Sequence, residues 1–100
     1  MAHHRHAAGW LCTELLSEED LERAGGRTRL ERARPLADTI DDLYEDEWSI
    51  CATVHDPEPY LAMIHHVGRP LGCECSCPDG APGNWCEHVL AVGLCYLGDA

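Results

Sequence analysis

The sequence predicts an α+β fold: a small antiparallel sheet, made of a hairpin plus a third strand, with a C-terminal helix and an N-terminal helical extension. Residues 48–55 alternate apolar and polar side chains, and residues 60–67 are rich in strand-forming residues. The segment 56–59 between them (DPEP) supplies turn chemistry, so the pair predicts a β-hairpin. Residues 71–75 follow a second turn and predict the third strand.

Helix signals lie before this sheet. Ser17 is followed by three acidic residues, a capping-box-like pattern that predicts a helix starting at residue 18. Gly25-Gly26 interrupts this helix, and Pro35 stops the helix that resumes from Arg27 to Arg34. Residues 18–34 are therefore predicted to be helical with a weak centre.

The last helix is predicted over residues 88–97, which are apolar on nearly all sides. Such a helix is buried against the sheet or covered by a partner. Residues 36–48 fit a helical face, whereas residues 39–43 within them also fit a short strand, and both interpretations stay open.

The chain has 100 residues and 11.1 kDa, the size of one ordinary domain. We expect a flexible or docking tail over 1–16, a helical extension over 17–35 and the main domain over 36–97. The tail begins with the histidine-rich sequence MAHHRHAA, which is either native or the remainder of a purification tag.

Charge and hydropathy limit the classes of partner. Eighteen acidic and seven basic residues give a formal charge of -11, which repels nucleic-acid phosphate and acidic membranes and favours protein partners. No stretch reaches the roughly 18 apolar residues that a membrane-spanning helix needs. The N-terminus lacks the apolar core of a signal peptide, so we expect a cytoplasmic protein.

Seven cysteines are the most informative feature of the composition. In a reducing compartment stable disulfides are rare, so this number favours metal or thiolate chemistry. Five of the seven lie in the last 28 positions: Cys73, Cys75, Cys77, Cys86 and Cys95.

A C-x-C pair, Cys75 and Cys77, is followed after eight residues by a C-x-H pair, Cys86 and His88. Three thiolates and one imidazole match a structural Zn²⁺ site, which takes four N or S ligands in a tetrahedron. The sequence therefore predicts one structural zinc ion.

Local structure explains how these ligands would meet. Alternate residues of a strand share a face, and the Pro78–Gly80 turn directly after Cys77 would bring both thiols to one metal. Asn84 is the predicted N-cap of the last helix, which would place Cys86 and His88 in its first turn.

The pattern and the residues around it resemble the SWIM zinc-finger family, defined by C-x-C, a variable loop and C-x-H. The segments CSCPDG, GNWCEH and VLAV are similar to the corresponding segments of bacterial members. The resemblance is strong over residues 73–94, loose over 36–72 and absent from 1–16. It implies a β-β-α unit, zinc bound by the four residues above, and binding of DNA or protein, often beside helicase-type partners, rather than catalysis.

Two further cysteines leave the ligand set open. Cys73 and Cys75 form another C-x-C, although the turn that follows Cys77 favours the pair Cys75 and Cys77. Cys95 lies seven residues beyond the histidine, on nearly the same helix face. It is interpreted as a small buried side chain, with a spare ligand or a redox thiol as the alternatives.

The favoured function is that of an interaction module, a zinc-stabilised adaptor that binds a protein partner. A subunit of a nucleic-acid-processing assembly is one form that this function takes. The acidic run over residues 38–47 either faces a basic partner or is a solvated surface. The predicted partner contacts are the exposed side of the last helix or four apolar residues: Trp10, Leu11, Leu15 and Leu16.

The alternative is direct DNA or RNA binding, or nucleic-acid contact through the partner. Five arginines lie between residues 23 and 34, and on a continuous helix Arg23, Arg27 and Arg34 share one stripe. Against this, Gly25-Gly26 would interrupt the stripe, and the arginines have many carboxylates to pair with.

Catalysis is not predicted. A catalytic zinc keeps one coordination position open, whereas C-x-C plus C-x-H fills all four. Glu87, between two ligands, is interpreted as a carboxylate favoured by the helix start rather than as a general base.

Overall fold

A computed structural model describes residues 16–47, 49–65, 71–81 and 83–98. The predicted α+β class is confirmed. In chain order the elements are α1 (Glu18–Gly25), α2 (Arg27–Ala33), a 3₁₀ helix (Pro35–Thr39), β1 (Ile40–Glu45), β2 (Ser49–His55), β3 (Pro59–His65), β4 (Gly72–Cys75) and α3 (Glu87–Gly98).

The sheet is antiparallel, with strand order β1-β2-β3-β4. The predicted hairpin is confirmed as β2 and β3, whose register runs from Ser49 opposite His65 to His55 opposite Pro59. The predicted third strand is β4. The predicted sheet was one strand short, because the segment that fitted either a helix or a strand forms the 3₁₀ helix and then β1.

Strand β1 is irregular at Asp42, whose φ is +57°. This left-handed conformation is tolerated by aspartate and shifts the register between Asp41 and Tyr44. The bulge lets Ile40 and Glu45 pair with Val54 and Ile50, residues that face the core.

The capping box predicted at Ser17 is confirmed. The Asp20 N–H donates to Ser17 Oγ at 3.2 Å, and the Ser17 N–H donates to Asp20 Oδ2 at 3.0 Å. The predicted interruption at Gly25-Gly26 is confirmed, since Gly26 separates two helices with φ +91° and ψ 151°, a conformation that only glycine adopts readily. At Gly25 a Cβ would lie 2.6 Å from Leu90 Cδ1, so this glycine permits close contact between α1 and α3.

Helix α3 lies at the centre of the core, which explains its apolar composition. Its residues Val89, Leu90 and Val92 are fully buried, with the inner face of the sheet on one side and α1 and α2 on the other. The chain itself therefore covers most of this helix. None of the described helices is long and apolar enough to cross a membrane.

Leu16 is also part of this core, with only 1% of its surface exposed. The prediction that Leu16 contacts a partner is wrong, because its side chain is buried within its own chain. Trp10, Leu11 and Leu15 lie outside the described residues. The three-part division of the chain stays a prediction, and α1 and α2 share one core with the sheet and α3.

Candidate metal centre

The structure brings the four predicted ligands together at one end of the sheet. The Sγ atoms of Cys75, Cys77 and Cys86 and a ring nitrogen of His88 all lie within 4.8 Å of one another. Cys77 Sγ is 3.7 Å from Cys86 Sγ, and Cys75 Sγ is 3.8 Å from His88 Nδ1. Around a tetrahedral zinc, bonds of about 2.3 Å to sulfur and about 2.0 Å to nitrogen place two sulfurs about 3.8 Å apart and sulfur and nitrogen about 3.5 Å apart. The donor set therefore fits one zinc ion.

The C-x-C pair is shaped by the end of β4 and a tight turn. The Gly80 N–H donates to Cys77 O at 2.9 Å, and the Cys75 N–H donates to Gly80 O at 3.3 Å. A Cβ on residue 80 would lie 2.2 Å from Cys75 O, so only glycine fits there. The predicted Pro-Asp-Gly turn is thus confirmed, and its glycine lets the chain fold back onto a zinc ligand.

The C-x-H pair lies at the start of α3. The helix begins at Glu87, and the Leu90 N–H donates to Cys86 O at 3.1 Å, so Cys86 occupies the N-cap position. Asn84 as N-cap is therefore wrong, because the helix starts two residues later than that prediction requires. Its side chain instead ties the loop together, donating to Asp79 O and accepting from Arg29.

A second layer of residues orients His88. Its Nε2 is 2.9 Å from Asp56 Oδ2, in the turn between β2 and β3, and this hydrogen bond leaves Nδ1 for the metal. The Tyr60 ring stacks on the imidazole with centroids 4.7 Å apart and planes 28° from parallel. Together the two contacts fix both the tautomer and the plane of the histidine.

Sequence reasoning missed both Asp56 and Tyr60, since it treated Asp56 only as a turn former. The antiparallel pairing of the strands is the feature that locates Asp56 near the ligands. Because β3 and β4 are antiparallel, Cys75 at the end of β4 pairs with Ala62 in the middle of β3, and the chain after β4 runs toward the hairpin turn between β2 and β3. A carboxylate in that turn therefore lies at the same end of the sheet as the ligands.

The thiols of the cluster differ in acidity. A hydrogen bond from Cys75, followed by the backbone N–H groups of Val89 and His88, lowers the pKa of Cys86 to about 5. The same contact with Cys86, followed by burial, raises the pKa of Cys75, and burial raises the pKa of Cys77. The hydrogen bonds to Cys86 Sγ thus favour its thiolate form, which is the form that binds a metal.

Among the described residues, neither Cys73 nor Cys95 belongs to the metal cluster. Cys73 is opposite Ile64 in the register and is 2% exposed, and burial raises the pKa of its thiol to about 11. It is a core side chain, as the favoured choice of C-x-C requires. Cys95 is half-buried on α3.

Residues 54–97 match the family model of the SWIM zinc finger. Over this segment the chain is similar to the SWIM zinc finger. The matched segment begins near the end of β2 and includes β3, β4, the four ligands and nearly all of α3. Comparison with curated proteins and with solved structures gave no match. The family and the ligand cluster agree on one structural zinc as cofactor.

The arginines predicted to contact nucleic acid do not form a stripe along one helix, because Gly26 separates α1 from α2. Arg23 pairs with Glu19 at 3.5 Å and with Asp20 at 3.4 Å. Arg34 pairs with Glu18 at 2.5 Å and with Glu31 at 3.1 Å. The break at Gly25-Gly26 that argued against the stripe is therefore present, while nucleic-acid contact by Arg23, Arg27 and Arg34 stays a prediction.

Two other arginines connect α2 to the metal centre. Arg29 Nη1 donates to Trp85 O at 2.9 Å, directly before the C-x-H pair. Arg32 lies 3.5 Å from Glu87, the first residue of α3. Glu87 thus has a cationic partner at a helix start, which agrees with its interpretation as a structural carboxylate.

Proposed function

We propose that this protein is an adaptor: a cytoplasmic interaction module, held together by one structural zinc, that binds a protein partner and catalyses no reaction. The closed ligand set carries the proposal. Three thiolates and an imidazole fill a tetrahedron and leave no coordination position for a substrate. A reducing compartment suits such a site, because it keeps the thiols available for zinc.

Charge supports a protein rather than a nucleic acid as the partner. Three ligand thiolates and one Zn²⁺ change the formal charge from -11 to about -12, so the metal does not create affinity for phosphate. The partner that suits such a protein is basic. Components of nucleic-acid-processing assemblies are among the proposed partners. Binding to such a component would bring the adaptor near DNA or RNA indirectly.

Direct DNA or RNA binding is the second candidate. The observation that favours it is the segregation of charge, because all described arginines lie between residues 23 and 34 on the helical side of the fold. Arg23, Arg27 and Arg34 are the proposed contacts. The ion pairs of Arg23 and Arg34 weaken this candidate, since phosphate must compete with carboxylates already in place.

The test is an affinity pull-down of the zinc-loaded chain from its native lysate, divided into nuclease-treated and untreated halves. We expect a stoichiometric protein partner in both halves. The matched control is Cys77→Ser, which removes a zinc ligand and should lose the partner. Recovery of nucleic acid, with proteins lost after nuclease treatment, would favour the second candidate, and salt-sensitive binding to purified DNA would confirm it.

A further inference from the structure

The sheet has two unlike faces. Helix α3 covers the inner face, where Ile50, Ala52 and Val54 of β2 are at most 1% exposed. The outer face carries the alternate residues of the same strands. There Tyr44 is 59% exposed and Leu61 53% exposed, although both are large and apolar.

These outer side chains are contiguous. Tyr44 pairs with Cys51, and Cys51 pairs with Met63, so the three form one row across β1, β2 and β3. Leu61 lies on β3 two residues before Met63, on the same face. Directly opposite residues have Cβ atoms about 5 Å apart, and diagonal neighbours remain within reach. We call Tyr44, Cys51, Leu61 and Met63 the outer patch.

Two carboxylates border the outer patch. Glu74 pairs with Met63 at one end of the row, and Asp41 pairs with Thr53 beside it. Both carboxylates contact histidines, at 3.1 Å to His65 and at 2.9 Å to His55.

Further acidic residues are exposed on β1 and in the connections between the strands. Asp42 and Glu47 are exposed on and after β1, and Glu58 is exposed in the hairpin turn. From residue 35 to residue 98, the described part of the chain contains acidic residues and no arginine or lysine.

We propose that the outer patch is the docking surface for a basic protein segment, whose apolar side chains cover Tyr44, Leu61 and Met63 and whose cationic side chains meet the bordering carboxylates. This inference rests on the adaptor function proposed above. Charge complementarity selects this occupant. The acidic run therefore faces a partner rather than only water.

The same charges disfavour the other occupants. Nucleic-acid phosphate would be repelled by Asp41, Asp42 and Glu74. A second copy of the chain would place one acidic rim against another, which opposes pairing at this face. A basic protein segment is attracted by these carboxylates and is not repelled.

The test is site-directed photo-cross-linking with the full zinc-loaded chain in nuclease-treated native lysate. One variant carries p-benzoylphenylalanine in place of Tyr44, a side chain of similar shape on the outer patch. The matched control carries it in place of Thr28, which is exposed on α2. Mass spectrometry identifies each adduct and the cross-linked segment.

We expect a protein adduct at position 44 and not at position 28, formed with a segment rich in arginine or lysine. Adding Leu61→Asp should reduce its yield about tenfold, as loss of a central apolar contact does. Salt at about 0.5 M should reduce it further, because it screens the carboxylates. Zinc content and thermal melting confirm that each variant is folded, and Leu61→Gln replaces Leu61→Asp if the latter is not.

The inference is overturned if position 44 forms no adduct, if its yield is unchanged by both Leu61 variants, or if the adduct joins nucleic acid, an acidic segment, a second copy or residues 1–15 of the same chain. A partner captured only at position 28 leaves the adaptor function standing and rejects this surface. If neither position captures a protein and the pull-down recovers none, both proposals fail.

Discussion

The metal centre and the core around α3 are stabilised in different ways. The core is apolar and continuous, with fully buried side chains from α1, α2, the sheet and α3. The chain between Cys75 and Cys86 is a turn and loop whose order depends on backbone hydrogen bonds, glycine and the metal ligands. The two regions are joined because α3 begins at one and fills the other. This contrast indicates that zinc orders a loop directly and the core through α3.

Removal of zinc should have the largest effect on stability, because it disorders the metal loop and, through α3, the core. Structural zinc sites supply about 10–16 kcal/mol of apparent binding free energy, against a total stability of about 5–15 kcal/mol for a typical domain. We expect EDTA, or Cys77→Ser, to abolish the cooperative thermal transition followed by circular dichroism and to unfold the C-terminal half.

The matched control for zinc loss is Cys51→Ser, which changes a half-buried cysteine outside the cluster. It should retain one zinc per chain and melt near the parent temperature. An EDTA-treated parent protein with its native melt would show that the core does not need the metal.

The next largest effect should come from the core itself. Leu90→Ala removes a fully buried side chain of α3 and should lower the free energy of unfolding by about 2–5 kcal/mol. Zinc stoichiometry should remain one per chain, because no ligand is changed. Denaturant unfolding and metal analysis measure the two quantities. Loss of zinc in the folded variant would show that the metal centre depends on the packing of Leu90 in the core.

Gly80→Ala tests the backbone of the metal loop. The new Cβ would lie 2.2 Å from Cys75 O, so the loop must shift. We expect the zinc-loaded protein to lose about 1–3 kcal/mol of stability, the usual cost of overpacking. Gly98→Ala is the control, since among the described residues no atom outside the helix's own backbone lies within 4 Å of its Cβ. Equal melting of the two variants would contradict the close approach at Gly80.

Asp56→Ala tests the second layer of the site. Loss of a carboxylate that orients a metal-binding histidine typically weakens metal affinity 10–100-fold, or about 1.4–2.8 kcal/mol. We expect that range in a competition titration with a zinc chelator. Glu58→Ala, in the same turn and exposed, should leave the affinity unchanged. Equal zinc affinities for both variants would show that Asp56 does not orient His88 for zinc binding.

Local patterns predicted the parts of the fold that depend on nearby residues. The hairpin followed from alternation in β2, and the ligand set followed from the spacing of C-x-C and C-x-H. The N-cap predicted at Asn84 was wrong because α3 begins at Glu87, directly after the ligand Cys86. The sequence did not decide between helix and strand for β1, because its residues fit both the helical and the strand period. Pairing with β2 selects the strand.

Contacts between distant residues account for the remaining differences. Asp56 meets His88 across 32 positions, and only the antiparallel pairing of β3 and β4 brings their segments together. Leu16 resembled a docking residue because its apolar neighbours precede the first helix signal. Its burial depends on the core formed by α3, which spacing along the sequence does not reveal.

The central claim is that Cys75, Cys77, Cys86 and His88 close around one zinc ion. X-ray absorption spectroscopy of the zinc-loaded protein tests it most directly, because it counts ligand types and bond lengths. The account predicts three sulfur ligands at about 2.3 Å and one nitrogen at about 2.0–2.1 Å. Four sulfur ligands would bring Cys73 or Cys95 into the site and contradict this ligand set. An oxygen ligand in place of the imidazole would mean an open position and contradict a closed site.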